Sequence, residues 1–214
     1  MGARQRREEE RRARWEQIVD AASTVFSEKG YYGATIEDIE NASRLTRGAI
    51  YYHFKGKEEI YIAVLARGLR MLRDELRRVS RGRSRSPRGL VVRLIDSYCE
   101  FSRQHKEYMR ILEHFYSGYE SQNGLREGLV DEVNRLILEC LEEAVGALKK
   151  GVDTGAFALE NPFTEAVLMW SIIGSALRKT TDNPRAAFLG IDWDTMKAAL
   201  KANILARLRA GVAE

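Results

Sequence analysis

Cysteine and proline are both scarce in this chain of 214 residues. Its two cysteines, Cys99 and Cys140, each lie inside an apolar helical pattern, which argues against a disulfide scaffold and predicts two reduced, buried thiols. Only three prolines occur, so helices can run for long stretches without interruption. The sequence also lacks a nucleophile elbow, a phosphate loop, a dinucleotide fingerprint and any metal-type spacing of histidine or cysteine. We therefore expect no catalytic site, no cofactor and no metal.

Long apolar runs are absent as well. The longest, residues 166–177, has about twelve residues, whereas a membrane-spanning helix needs roughly twenty. The first fourteen residues are highly charged and no apolar segment follows them, which is unlike a signal peptide. The sequence therefore predicts a soluble, cytoplasmic protein.

Helical periodicity dominates what remains. Apolar residues recur at intervals of three and four, and no stretch alternates as a strand would. Helices are predicted at 15–29, after Thr35, after Thr46, and at 57–79, 90–104, 107–117, 125–150, 163–180 and 192–209. Residues 80–89, rich in serine, arginine and glycine, predict a linker. The fold class is therefore all-α, with a basic N-terminal arm (1–14), a three-helix domain (15–60) and a larger helical domain (61–214).

Residues 35–60 predict two short helices joined by a tight turn. Thr35 is placed to cap the first helix, with Asp38 three residues later as its capping-box partner. Residues 41–44 are expected to form the turn, and Thr46 to cap the second helix. This arrangement is typical of a DNA-binding helix-turn-helix, whose second helix enters the major groove.

The second helix carries residues suited to a polyanion. Thr46 and Arg47 lie at its amino end, where free amides and the helix dipole also favour phosphate. Gly48 has no side chain, so the backbone can approach a duplex closely. At the far end, three side chains can donate to phosphate oxygens, and a lysine opens the next helix beside the flanking strand: Tyr51, Tyr52, His53 and Lys57.

The net charge of +4 is modest, but it is unevenly distributed. The arm from Arg4 to Arg14 holds six arginines against three glutamates, a net of +3, and residues 44–57 carry four cations and no acid. Residues 67–88 hold nine arginines against two acids. Such patches attract phosphates and make binding salt-dependent, although solvated helix faces have the same composition.

Residues 48–60, Gly-Ala-Ile-Tyr-Tyr-His-Phe-Lys-Gly-Lys-Glu-Glu-Ile, resemble the signature of the TetR family of bacterial transcriptional repressors. Upstream residues fit the same pattern at the same spacing: Phe26, Gly30, Thr35, Ile36, Ile39 and Ala42. Ser43 departs from it where glycine is usual, and Ile60 where leucine is commoner. The resemblance implies a homodimer that binds a double-stranded operator, with a small-molecule effector in the C-terminal domain. It also implies that Thr35 touches phosphate, that Ala49 belongs to the recognition helix and that Lys57 contacts phosphate.

The C-terminal part has no sharp motif. Candidate residues for the effector pocket are apolar or aromatic at helical spacing: Tyr98, Cys99, Met109, Leu112, Phe115, Tyr116, Trp170 and Ile173. Few charges interrupt these stripes, which favours an apolar or aromatic effector. A dimer contact is predicted from two helices whose apolar faces comprise Trp170, Ile172, Ile173 and Leu177 on one and Met196, Leu200, Ile204 and Leu208 on the other.

One alternative to a ligand-responsive repressor is a helix-turn-helix activator or an architectural DNA binder that has no effector. About 120 helical residues follow the linker, more than is needed to dock a dimer, and this favours the effector-binding interpretation. The sequence leaves induction and co-repression equally open.

Overall fold

The computed structural model describes residues 2–82, 86–117, 127–180, 183–184 and 186–208. The described residues form helices and no strand. The helices are α1 (Ala3–Gly33), α2 (Ile36–Ser43), α3 (Arg47–His53), α4 (Lys57–Arg81), α5 (Pro87–Gln104), α6 (Lys106–Ser117), α7 (Glu127–Asp153), α8 (Pro162–Leu177) and α9 (Trp193–Arg207), with a 3-10 turn at Ala187–Leu189. No helix among these residues combines the length and apolar character needed to cross a membrane.

The chain divides into two compact units. The first comprises residues 1–70 and 105–135, and the second comprises 71–104 and 136–214. Helices α4 and α7 each contribute residues to both units. The boundary predicted after residue 60 separates a DNA-binding domain from an effector-binding domain. These two units are defined by packing and do not test it, so it stays a prediction.

Helix α1 is longer than predicted. The expected helix began at Trp15, but helical structure starts at Ala3 and includes the basic arm. Its composition explains this difference, because arginine, glutamate and alanine are strong helix formers and no glycine or proline interrupts residues 3–29. Gly30 adopts φ 69°, ψ 178°, and thus breaks the regular helix where the sequence predicted its end.

The first unit packs around aromatic side chains. The Phe26 and Tyr61 rings meet edge to face, with centroids 5.1 Å apart, and the buried Tyr61 hydroxyl donates to the Ile111 carbonyl at 3.1 Å. A Cβ on Gly68 would lie 2.7 Å from the Tyr108 ring, so this glycine permits the close approach of α4 and α6. The small residue therefore fixes how the two helices meet.

The predicted linker at 80–89 is shorter than expected. Helix α4 continues to Arg81 and α5 begins at Pro87, because proline is well suited to the first turn of a helix. Residues 83–85, the middle of that prediction, lie outside the described residues.

The second unit buries faces that the sequence assigned to a dimer contact. Leu200 and Ile204 of α9, and Leu208 directly after its end, are buried within the unit. Ile173 and Leu177 of α8 are buried there too. The predicted dimer face was therefore wrong for these five residues, since an apolar helical stripe serves an internal core as readily as an interface.

Candidate nucleic-acid interface

Helix α2 begins with the predicted capping box. The Asp38 amide donates to Thr35 Oγ1 at 3.1 Å, and the Thr35 amide donates to Asp38 Oδ2 at 3.0 Å. Lys29 Nζ donates to Asp38 Oδ1 at 2.6 Å, and these hydrogen bonds hold the pKa of the Asp38 carboxyl below its usual value, with the Lys29 bond the largest cause. Thr35 is exposed, so its hydroxyl remains available to donate to a phosphate.

The turn between α2 and α3 is shorter than predicted. Residues 41–43 are helical rather than part of the turn, because α2 ends only where Arg44 adopts the left-handed conformation (φ 57°, ψ 31°). Ser43, at the position where the family usually has glycine, is buried. Its hydroxyl accepts from the Leu45 amide at 3.3 Å, and its carbonyl accepts from Gln17 Nε2 at 2.8 Å. The serine therefore stabilises the turn and fastens it to α1.

Helix α3 is anchored on one side and open on the other. Thr46 caps it by accepting from the Ala49 amide at 3.3 Å, while Ile50 and Phe54 are buried as predicted. The opposite side is exposed, with Tyr51 49% and Tyr52 76% accessible. Arg47 and Gly48 are also exposed. The burial of one side thus determines which residues α3 can present to a partner.

Gly48 has no neighbour that requires it to be glycine. A Cβ at this position would meet no atom within 4 Å, and its backbone does not adopt a positive φ. Glycine costs a helix about 0.5–1 kcal/mol relative to alanine. A residue that is unfavourable for α3 and not required by packing indicates close approach by something outside the chain.

Two polar side chains of α3, Arg47 and His53, have charged neighbours. Arg47 Nε lies 3.4 Å from Glu40 Oε1, with the Arg47 side chain still 62% exposed. The pKa of His53 is lowered, first by partial burial and then by the nearby charge of Arg11. The imidazole is therefore neutral at pH 7 and suited to hydrogen bonding.

Lys57 has an internal partner that the sequence did not reveal. Its ammonium donates to the Ala34 carbonyl at 2.9 Å and lies 4.6 Å from the centre of the Tyr31 ring. Partial burial lowers the pKa of the amine. The lysine thus ties α4 to the end of α1, and its phosphate contact stays a prediction.

The second unit contains a small apolar cavity of about 40 Å³, well below the volume of a site for a drug-sized ligand. The Tyr98 and Trp170 rings meet edge to face at its wall, with centroids 5.0 Å apart. Helices α4, α5, α7 and α8 supply its lining: Leu76, Leu94, Ile95, Tyr98, Cys140, Leu141, Ala144, Ala166, Met169, Trp170 and Ile173.

Three of the eight predicted pocket residues line this cavity: Tyr98, Trp170 and Ile173. Cys99 is buried but is not among the lining residues. The four candidates on α6 belong to the first unit and do not line the cavity: Met109, Leu112, Phe115 and Tyr116. The sequence signal for the lining residues that were not predicted was present, because Ala166 and Met169 share a helical stripe with Ile173. Ligand contact stays a prediction for all eight residues.

Burial makes both cysteine thiols weak acids. It raises the pKa of Cys99 to about 11 and that of Cys140, in the cavity wall, to about 12. Both cysteines are reduced and buried, as predicted. Among the described residues, no group of three or more histidine, cysteine, aspartate or glutamate side chains could hold a metal ion.

Known proteins share the recognition region most closely. Residues 18–64 match the sequence model of the family described as bacterial regulatory proteins, tetR family. The IcaR negative transcriptional regulator of the biofilm operon icaADBC in Staphylococcus epidermidis is 48% identical over 46 residues, 22% of this chain and 25% of IcaR. The chain thus spans a quarter of that relative's length.

Two further proteins are similar over longer stretches. The solved structure of FadR from Bacillus subtilis in complex with stearoyl-CoA shares this fold with a TM-score of 0.74 at 16% identity, covering 91% of this chain and all of FadR. The uncharacterized HTH-type transcriptional regulator TtgW of Pseudomonas putida is 33% identical over 122 residues, 57% of this chain and 87% of TtgW. Together with the recognition motif, that degree of similarity is decisive: the chain belongs to the TetR family of bacterial transcriptional regulators.

Proposed function

We propose that this protein represses transcription by binding a palindromic operator as a homodimer, and that a small apolar effector releases it. The exposed face of α3 carries this proposal. It presents Arg47, Tyr51 and Tyr52 around a glycine that packing does not require. Two such helices, one per subunit, would enter major grooves about 34 Å apart or slightly more.

The exposed side of α8 supports the homodimer. Phe163, Val167 and Leu168 are exposed apolar side chains within two turns of this helix. Replacing Val167 with arginine should convert the dimer to a monomer, as measured by light scattering after size-exclusion chromatography. Glu142→Arg, an exposed change on α7, is the matched control and should leave the mass unchanged. A dimeric Val167→Arg variant would remove α8 from the interface.

The cavity supports an apolar effector. Its lining is almost wholly hydrocarbon and aromatic, and the fold is shared with a FadR structure that holds stearoyl-CoA. Leu76 of α4 lines the cavity, and Lys57 begins the same helix beside α1. We infer that an effector changes the position of α4 and with it the separation of the two recognition helices.

Selection of bound genomic fragments at near-physiological salt tests the DNA-binding part. Recovery of a short palindrome beside particular genes is the expected result. Recovery of random fragments with steep salt dependence would instead indicate an architectural DNA binder, because phosphate contacts alone carry no sequence information.

A titration with and without operator tests the effector part. Fatty acids, acyl thioesters and aromatic compounds would be compared for binding to the free protein and for release of the operator. Coupling is reciprocal, so operator DNA must weaken effector binding by the same factor by which effector weakens operator binding. Equal effector affinity in both states would refute this mechanism.

A further inference from the structure

The N-terminal part of α1 carries a one-sided row of arginines. These four are spaced three, four and three residues apart, and are here termed the arginine stripe: Arg4, Arg7, Arg11 and Arg14. Because the segment is helical from Ala3, this spacing places all four on one face. At 100° per residue, Glu9 lies on the opposite face, with Glu8 and Glu10 on the flanks.

The stripe continues the face of α1 that points toward the helix-turn-helix. Trp15 follows Arg11 by one turn and packs its ring 6.0 Å from the Phe54 ring, at the end of α3. Ile18 follows Arg14 by one turn and is fully buried. The charge of Arg11 also lowers the pKa of His53 in the last turn of α3. The stripe therefore lies on the recognition side of the unit.

The stripe is available to a partner. Residues 4–14 are all exposed, and the ion pair from Arg11 to Glu8 at 2.6 Å is between exposed side chains, which makes it weak. The family match begins only at residue 18, so the stripe lies outside the shared motif. It spans about 15 Å along α1, the length of about four base pairs.

We propose that the arginine stripe binds the phosphate backbone of duplex DNA beyond the segment that α3 contacts. This inference rests on the proposed DNA-binding function. The helix holds the backbone of the four arginines at fixed intervals before binding, so no backbone conformational entropy is lost when they meet phosphates. Contacts of this kind add affinity and salt dependence without reading bases.

Two variants of equal charge separate the stripe from general electrostatics. Arg7→Gln/Arg11→Gln removes two stripe residues, and Arg6→Gln/Arg12→Gln removes two arginines about 120° away on either side. Both would be measured on the operator duplex between 50 and 200 mM salt. For each bound protomer, the stripe variant should reduce the slope of log affinity against log salt by about 1.8. The affinity that is lost when salt rises from 50 to 200 mM should therefore be about tenfold smaller for this variant than for the wild-type protein. The control should change the slope by less than half as much.

A proline variant tests whether the helix itself is needed. Ala13→Pro leaves the charge unchanged but removes a helical hydrogen bond and breaks the register of the stripe. It should lose most of the affinity that the stripe variant loses, while circular dichroism shows the remainder of the chain still folded. Unchanged affinity in Ala13→Pro would mean that a flexible arm binds, and equal effects of both charge pairs would mean diffuse attraction; either result overturns the proposal.

Duplex length gives an independent measurement. Shortening each operator flank by four base pairs should weaken the wild-type protein about as much as the stripe variant is weakened on the long duplex. The stripe variant itself should be insensitive to that shortening. If the proposed function fails, the wild-type protein shows no sequence-specific binding at all, whereas failure of this inference alone leaves that binding intact.

Discussion

The surface of α3 and the cavity of the second unit use their side chains in opposite ways. On α3 the distinctive residues Arg47, Tyr51 and Tyr52 point to solvent, where the chain itself gives them little to contact. Around the cavity, Tyr98 and Trp170 contact each other inside the fold. A binding surface is therefore easiest to recognise where internal packing does not explain its residues.

Two glycines make the contrast sharper. Gly48 in α3 has open space around it, whereas a Cβ on Gly151 in α7 would overlap the ring of Phe157. The amides of Ala156 and Phe157 both donate to the Gly151 carbonyl, at 2.8 and 3.1 Å, which holds that ring in place. Contacts inside the chain therefore explain Gly151 but not Gly48.

The largest effect should come from Gly151→Ala. The added methyl would displace the Phe157 ring, and overpacking of this kind costs about 1–3 kcal/mol, with this overlap at the upper end. Thermal unfolding followed by circular dichroism measures it. Gly146→Ala in the same helix is the control, since a Cβ there meets nothing within 4 Å and should be neutral or stabilising. Equal unfolding midpoints for the two variants would show that the packing around Gly151 does not require glycine.

Arg47→Ala should act on DNA binding and leave stability nearly unchanged, because the side chain is mostly exposed. Loss of a base-reading arginine costs about 1–3 kcal/mol and loosens preference at one operator position. Competition between operator variants measures both effects. A uniform loss across all sequences would make Arg47 a phosphate contact instead. Glu40→Gln, which removes its 3.4 Å partner, should alter the same operator position if Glu40 orients Arg47.

Gly48→Ala should separate stability from function. Alanine is favoured over glycine in a helix by about 0.5–1 kcal/mol, so the unfolding midpoint should rise. Operator affinity should fall by about tenfold, because the added methyl prevents the closest approach of the backbone to DNA. Denaturation and anisotropy titrations on the same preparation give both values. Unimpaired binding would show that α3 does not approach the duplex at this residue.

Local features of the helix-turn-helix could be predicted from the sequence, with one exception. The capping box of Thr35 and Asp38 and the burial of Ile50 and Phe54 were predicted correctly, because they depend on residues close in sequence. The extent of α2 was not, since the left-handed conformation of a non-glycine residue such as Arg44 has no sequence signature.

Longer-range features were harder to predict. Leu200 and Ile204 were assigned to a dimer contact although they belong to the core, and four α6 residues predicted to bind the effector do not line the cavity of the second unit. Periodicity identifies the apolar face of a helix but not the neighbour that covers it. The hydrogen bond from Lys57 to Ala34 joins residues 23 positions apart, and no local pattern announces it.

Lys57→Met should moderately reduce both the stability of the fold and the affinity for operator DNA. Removing the donor to the Ala34 carbonyl should destabilise the fold by about 1 kcal/mol. If a second proton of the ammonium also contacts phosphate, the salt slope of operator binding should fall by about one. Salt titration and chemical denaturation measure the two effects separately. A changed stability with an unchanged slope would restrict Lys57 to its internal role.

The smallest effect is expected at the cavity cysteine. With its pKa raised to about 12, Cys140 exists almost entirely as the thiol at pH 8, and only the thiolate reacts with alkylating agents. The native protein should therefore remain unlabelled by iodoacetamide at pH 8, as measured by mass spectrometry, and the reactive fraction should rise about tenfold per pH unit up to that pKa. Denatured protein is the control and should label at both cysteines. Rapid native labelling of Cys140 would mean that water reaches the cavity wall, and would weaken the case for an apolar effector.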